Sequence, residues 1–593
     1  MAASECVLKR FSAEFQDFLQ TRAQCKDLSR PGQSVVLKQS TNLGNGDFVV
    51  PSVFVKAAFP DRAILESFLS SKELAESLLS LSLPVQQLSI SDDGRLCLKL
   101  SRPQTFHKVL SNVEKLKSNY GPMENSGDNV AVVNLVPQNY RTCGKADSGQ
   151  SLVQLRGALI ASHVAALLKA NGFEVHKVKS NVQGEHEEFW DILCEGVQSS
   201  AVDSESDSGT REQILQATAE SKYRISDSED RRHLSSNNEE DTKDCSKQER
   251  ESVSDPSDGL TGKEKFVMLD LKKFIEDGSL QTGKDGYDPN LKTVTVLEGN
   301  QPTLLMEEVI SLQTILKLDS VKTKAPVVVH VASHGRAFHA QQVDMTWRML
   351  NLNEVTTCQT HLVYNSVAAR KSTSTSEQLT AQDFWRLRHA QMKEASVLKY
   401  GDTVEGPGWD STITAMTAAA IKFELLFTSC QNIAKLDLSI KESGEGPQDN
   451  KGGAFILYNC ARLATLFKHY QEDVQAGVYP DLPDISSVDF SLLKEEEEWE
   501  LLFNFLLPYP DLVQGTVGDI SNTRAKILTH QVCSFLIALS RDLSSYYRRV
   551  RVLLEPRVHL LPVMFARLHL LKGVQQVMHN GLSLLGIQPL AQM

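Results

Sequence analysis

The chain has 593 residues, 41% of them hydrophobic and 23% charged, with a formal net charge of −12 at pH 7. That length exceeds a single core and divides into roughly three to five units. The acidic balance excludes a chain that coats nucleic acid through its whole-molecule field, so any RNA affinity must come from a local basic face. The 10 cysteines are scattered and form no C-x-x-C pair, a pattern of reduced, buried thiols that argues against a disulfide framework or a metal site. The N-terminal MAASECVLKRFSAEF lacks the apolar core of a signal peptide. No stretch of about 18 apolar residues reads as a membrane helix. The expectation is a cytoplasmic protein with no membrane and no DNA partner.

Residues 1–125 mix short helical and strand patterns, including FVVPSVFVKAAF at 48–59 and the alternating RLCLKLS at 95–101. They predict a small α/β module. Residues 126–194 open a nucleotide-fold region with VAVVNLVPQNY at 130–140 and LRGALIASHVAALLKANGFEVHKV at 155–178. Across 195–264 the composition changes to SESDSG, SDSEDRR, SSNNEEDTKD and ERESVSDPSDG. With scarcely any large apolar residues to offset ordering entropy, this segment is expected to be a disordered, solvated insertion. Residues 265–400 resume the pattern with FVMLDLKKFIEDG. Within APVVVHVASHGRAFHAQQVDMTWRML, 327–331 read as a buried parallel strand and 337–350 as the next helix. The two halves together predict a doubly wound sheet split by the insertion. His334 and His339 lie at the strand–helix junction without an H-E-x-x-H pattern, so they read as loop histidines and no metal is expected.

After a connecting helical segment at 401–451, residues 452–593 predict an all-helical bundle. GGAFILYNCARLATLFKHY at 452–470 leads to a carboxylate-rich helix start at 495–498, where negative charge suits the positive end of the helix dipole. Trp499, Leu502, Phe503 and Leu506 form an apolar face before Pro508 and Pro510. A long helix is expected from about Thr523, with a stripe of Leu528, Val532, Phe535, Leu539, Leu543, Tyr546 and Val550. The last helix repeats the spacing through Leu571, Val574, Met578, Leu582 and Leu585. From Ile520 onward, Arg524, Lys526, Arg541, Arg548, Arg549, Arg551, Arg557, Arg567 and Lys572 oppose only Asp542 and Glu555. This local reversal of sign supplies phosphate attraction, and tyrosines among the cations offer rings for unpaired bases. Tyr546 belongs to the apolar stripe and reads as core; Tyr547, beside it, is the stacking candidate.

The segments at 130–140 and 155–178 resemble the start of the catalytic domain of arginyl-tRNA synthetases. Residues 94–110 are similar to the end of that family's N-terminal module, which lies against the tRNA elbow. SSYYRRVRVL at 544–553 and ARLHLLKGVQQVMHNGLSLLGI at 566–587 resemble the DALR anticodon-binding domain of the same family. The resemblance implies a multidomain α/β plus all-α chain: a small N-terminal α/β module, a degenerate Rossmann-like class I synthetase domain and a C-terminal helical DALR bundle. Where the family carries a His-x-Gly-His tetrad that binds ATP phosphates, this chain reads Ser151-Leu152-Val153-Gln154. Neutral side chains cannot replace cationic imidazole, and Val153 puts a branched side chain where adenine needs bare backbone. Where the family has a Lys-Met-Ser-Lys-Ser loop, the chain reads Arg370-Lys371-Ser372-Thr373-Ser374-Thr375-Ser376-Glu377, which lacks the later cation.

These departures imply a pseudoenzyme without cofactor. The resemblance implies as partners arginine tRNAs, with Tyr547, Arg541, Arg548, Arg549, Arg551, Arg567, Lys572 and Met593 as the binding candidates, and a methyltransferase that forms 3-methylcytidine in the anticodon loop. Two alternatives stay open at this point: a diverged, ATP-dependent arginine–tRNA ligase, and a scaffold that binds no RNA.

Overall fold

The computed structural model describes residues 6–22, 38–39, 46–59, 65–66, 69, 72–125, 127, 129–137, 151–178, 188–194, 204–225, 266–278, 286–299, 301–322, 324–350, 352, 357–370, 379–401, 404, 406–438 and 451–590. In the N-terminal module, helices Val7–Arg22 and Arg102–Leu116 pack on an antiparallel sheet. The sheet runs in the order Lys38–Gln39, Phe48–Val50, Leu96–Leu100, Val85–Ile90. The alternation in RLCLKLS places Leu96, Leu98 and Leu100 inside with Phe11, Phe15 and Phe106. This module is docked on the C-terminal bundle: the buried Asp47 accepts hydrogen bonds from Trp499 Nε1 (2.8 Å) and from the Leu100 amide (2.7 Å).

The central sheet is parallel. Strands β1 (Val130–Leu135), β2 (Glu174–Lys177), β3 (Val327–Ser333) and β4 (Cys358–Tyr364) lie in the order β4-β3-β1-β2. β1 and β3 are covered on both faces, which is why their sequences are continuous runs of valine. Helix α1 (Leu152–Ala170) covers one face, and helix α2 (Ala337–Met349) lies on the other with the partners of Val328 and Val343. By length and composition α1 could cross a membrane, contrary to the reading of the sequence, but most of it is buried in the protein core.

Part of the segment expected to be disordered is folded. Helix Ser204–Glu220 buries Ile214 and Thr218, and the strand Arg224–Ile225 pairs antiparallel with Phe266–Asp270. Averaged composition concealed a short apolar face of Ile214, Ala217 and Tyr223, enough to close one small core. The remainder of the insertion, 226–265, lies outside the described residues. A second expectation fails with it. FVMLDLKKFIEDG does not continue the parallel sheet; it belongs to a separate antiparallel sheet in the order Gln301–Pro302, Thr293–Glu298, Phe266–Asp270, Arg224–Ile225.

The long helices of the rest of the chain are α3 (Ala381–Tyr400), α4 (Pro407–Leu426), α5 (Lys451–Gln475), α6 (Gln531–Arg549) and α7 (Leu561–Leu584). α6 starts at Gln531, not near Thr523. The intervening residues are extended along the open edge of β4: His361 N donates to Thr523 O (2.8 Å) and Ala525 N to His361 O (3.1 Å). Edge pairing satisfies backbone groups that a helix would have to leave open on β4. Beneath it, the buried Asp344 carboxylate accepts from Tyr287 Oη (2.8 Å), Arg348 Nε (2.6 Å) and His361 Nε2 (3.1 Å).

His163 of α1 reaches the bundle at two carbonyls, Leu584 O at 2.7 Å from Nδ1 and Thr529 O at 3.0 Å from Nε2. Burial pushes its imidazole down to about 4, outweighing the carbonyls that favour the charged ring, so at neutral pH only one of the two contacts carries a hydrogen. The ordinary value is 6.5. Between 6.5 and about 4 the unfolded chain therefore takes a proton that the fold refuses, and this contribution, intact above pH 6.5, is lost as pH falls. His163→Gln should flatten the acid side of the stability profile by about 3 kcal/mol. Urea unfolding of both proteins at pH 7 and pH 4.5 measures it, and parallel profiles would contradict the assignment.

Candidate nucleic-acid interface

The crevice at the carboxyl ends of the parallel strands is where a nucleotide fold places its ligand. Ser151 is the N-cap of α1: its Oγ accepts from Gln154 N (3.2 Å), and Gln154 Oε1 accepts from Ser151 N (2.7 Å). Both polar side chains of Ser151-Leu152-Val153-Gln154 are engaged in this capping box. The Val153 carbonyl accepts from Tyr364 Oη at 3.3 Å. A Cβ added at Gly157 would collide with the same hydroxyl and lie 2.7 Å from Tyr364 Cζ. The ring thus closes over the first turn of α1. His334 stands in a short 3-10 turn before α2, and His339 Nε2 lies 2.9 Å from Glu308 Oε1. Residues 371–378, which hold most of the predicted loop, lie outside the described residues.

A second opening lies in the helical bundle. A cavity of about 690 Å³ is lined by Tyr400 at the end of α3, by Tyr458, Arg462 and His469 of α5, and by Tyr547, Arg548, Arg549 and Arg551 at the end of α6. Tyr458 and Arg462 are four residues apart, which sets them one above the other on a helix face. The Arg462 guanidinium carbon lies 4.0 Å from the Tyr547 ring centroid and 5.9 Å from that of Tyr458. Lys399 Nζ stands 4.3 Å from the Tyr458 centroid, which completes an alternating row of cations and rings. Burial pushes the Tyr547 phenol up, so it is neutral at physiological pH.

The predicted residues divide. Tyr546 is buried and donates to Glu498 Oε1 (3.1 Å), as its place in the apolar stripe requires. Tyr547, Arg548, Arg549 and Arg551 line the cavity together; the three arginines are exposed, although Arg549 is ion-paired with Glu497. Arg541 is exposed seven residues before Arg548, hence two turns away on the same face and outside the cavity wall. Lys572 is exposed on α7 and likewise does not line it. Met593 lies outside the described residues.

Arg567 is corrected. Its Nε donates to the fully buried Glu498 at 2.8 Å and its Nη1 to Arg551 O at 3.2 Å, so its charge is neutralised inside the bundle. Sequence reading missed Arg462, Tyr458, Lys399, Tyr400 and His469. The Y-x-x-x-R spacing in α5 was available, but only the apolar face of that helix was read, and α3 meets it only through tertiary packing.

The profile of the DALR anticodon binding domain matches residues 456–593, the segment that carries most of this cavity, and that of the DALR N-terminal domain matches residues 8–116. A Danio rerio protein named DALR anticodon-binding domain-containing protein 3 is 31% identical over 580 residues, covering 96% of this chain and 95% of the relative. The Mus musculus protein of that name is 33% identical over 584 residues, covering 95% and 96%. The chain belongs to the family of DALR anticodon-binding domain-containing proteins. In fold the chain is similar to the arginyl-tRNA synthetase of Plasmodium falciparum, with a TM-score of 0.57 over the whole of both chains at 12% identity. The expected architecture, a synthetase-like α/β body with a C-terminal DALR bundle, is borne out.

Removing one partner of a buried ion pair leaves an uncompensated charge, so Arg567→Ala should lower the unfolding free energy by about 3 kcal/mol. Lys572→Ala should change it by less than about 0.5 kcal/mol. Chemical denaturation of the two variants checks the correction; an Arg567→Ala protein as stable as its parent would restore that residue to the surface set.

Proposed function

We propose that this protein is a non-catalytic, cytoplasmic adaptor that binds arginine tRNAs and presents them to a methyltransferase that forms 3-methylcytidine in the anticodon loop. The observation that carries the RNA reading is the row Lys399, Tyr458, Arg462, Tyr547 along a cavity rimmed by Arg548 and Arg551, within the segment matched by the anticodon-binding domain. Cations at such a rim attract phosphate without regard to sequence, whereas a neutral tyrosine offers a face to an unpaired base. The non-catalytic reading rests on the first turn of α1. Its Ser151 and Gln154 side chains serve the helix cap, and neither can deliver cationic charge to a polyphosphate.

The relatives that match along the whole chain bear an anticodon-binding domain name, and the RNA part of the proposal takes its ligand class from that domain. The arginine branch is taken from the resemblance of 544–553 and 566–587 to that branch, and the methyltransferase from the resemblance of most of the chain, nucleotide-fold region included, to a non-catalytic relative of arginyl-tRNA synthetases.

The parent protein should show no arginine-dependent exchange of pyrophosphate into ATP, and exchange above a blank without enzyme would refute the non-catalytic reading. Tyr547→Ala should weaken arginine tRNA binding by about 1–3 kcal/mol, the value of one base–aromatic stack. Binding to other tRNAs should fall less, and 3-methylcytidine in arginine tRNAs should drop in cells that carry the variant. If the folded variant binds arginine tRNA like its parent, the cavity is not the base-reading surface.

A further inference from the structure

The ring assigned to base stacking is not bare. Tyr547 is partly buried, with part of its surface packed against the bundle core, and Arg462 lies over the ring face. A guanidinium 4.0 Å from the ring centroid occupies the space that a stacked base needs. Both cannot hold the same face at once. Among the described residues Arg462 forms no salt bridge, and its ring contacts are with Tyr547 and Tyr458. It is therefore held by cation–π attraction on a long, flexible stem, and that attraction is weak at a solvent-accessible site.

We infer that Arg462 screens Tyr547 in the free protein and leaves the ring when an unpaired base arrives, moving to the phosphate that the base brings with it. This deepens the RNA reading and rests on it. The exchange has a physical logic. A ring left open in a solvated cavity would stack on any planar apolar group, whereas a ring covered by a cation is opened to advantage only by a ligand that supplies both a planar base and an anion. The row continues the same way. Tyr458 lies one turn back on α5 with Lys399 over its ring, so a second base could be received by the same exchange of ring for phosphate.

The screening role separates from a direct contact by its dependence on salt. Arg462→Gln, Arg462→Lys, Tyr547→Ala and the double variant Tyr547→Ala/Arg462→Gln would be measured by fluorescence anisotropy on an arginine tRNA transcript across a salt series. Thermal melts of each full-length variant would confirm folding. At low salt Arg462→Gln should bind more weakly, and its salt slope should fall by about one phosphate contact. At high salt, where the phosphate contribution is screened, it should bind roughly two- to fivefold tighter than the parent, because the base no longer displaces a cation–π partner. That gain should vanish in the Tyr547→Ala background. Arg462→Lys, with its charge retained and a weaker hold on the ring, should keep the salt slope and associate faster.

If Arg462→Gln is weaker by a constant factor at every salt concentration, Arg462 contacts RNA directly and screens nothing, while the RNA reading stands. A high-salt gain that persists without Tyr547 overturns the inference as well. An unchanged affinity in Tyr547→Ala removes the stacking reading and this inference with it.

Discussion

The arrangement of this chain depends on one buried cation. Arg156, in the second turn of α1, is fully buried and meets no carboxylate among the described residues. Its Nη1 donates to the carbonyls of Asn365 (2.7 Å), Ser366 (3.1 Å) and Asn432 (3.0 Å), and its Nη2 to those of Thr428 (3.1 Å) and Ser429 (3.1 Å). Burial disfavours the charge and pushes its pKa down, but a guanidinium stays protonated, and several charge-assisted bonds offset its desolvation. The five acceptors come from two segments: the end of β4, and the turn after α4. Joining them at one planar group sets the parallel pair Val367–Arg370 and Ala434–Asp437 in register, and with it the seat of α3 and α4 beneath the nucleotide fold. The position of Tyr400 at the end of α3, and so one wall of the cavity, follows from that seat.

The two ends of the molecule use polar groups in opposite ways. At the strand ends, the side chains of Ser151, Gln154 and Tyr364 each bond to backbone at the start of α1, which leaves a finished helix start in the crevice where a nucleotide fold presents unpaired donors. In the bundle, Arg548 and Arg551 stand exposed and, among the described residues, Arg462 is held by rings alone. A site where, among the described residues, Arg548 and Arg551 meet no carboxylate is open to an anionic partner, whereas a site whose hydrogen bonds are closed locally offers little to bind.

Polar groups with specific geometry anchor the helical bundle, three of them at widely separated places. Asp47 joins the N-terminal module to Trp499; His361 carries the extended 523–525 segment on the edge of β4; His163 touches the carbonyls of Leu584 and Thr529. Apolar contact alone would permit sliding between these surfaces. Directional bonds to buried acceptors fix the bundle against the sheet, and thereby the direction in which the cavity faces.

Periodicity and composition determined the elements that depend on local physics. The valine runs of β1 and β3 announced buried parallel strands, the three-four stripe from Leu528 to Val550 announced a buried helix face that the fold keeps as far as Tyr546, and the cluster of arginines beside it announced a basic surface. Ser151 and Gln154 at N-cap spacing could have been read as a cap, because a capping box is written in four consecutive residues. What depends on partners far along the chain was settled only by tertiary structure. Arg567 and Arg551 read alike as exposed cations until the fold set Glu498 beneath one and solvent over the other. The start of α6 moved to Gln531 because the edge of β4, some 160 residues earlier, offered the preceding residues backbone partners. Ile214 and Tyr223 were too few to mark a core until strands from beyond the insertion gave them a surface to cover. Charge and hydrophobicity are properties of a residue, but whether a charge is spent or free, and whether an apolar group is covered, belongs to the pair it makes, and the chain order does not contain that pair.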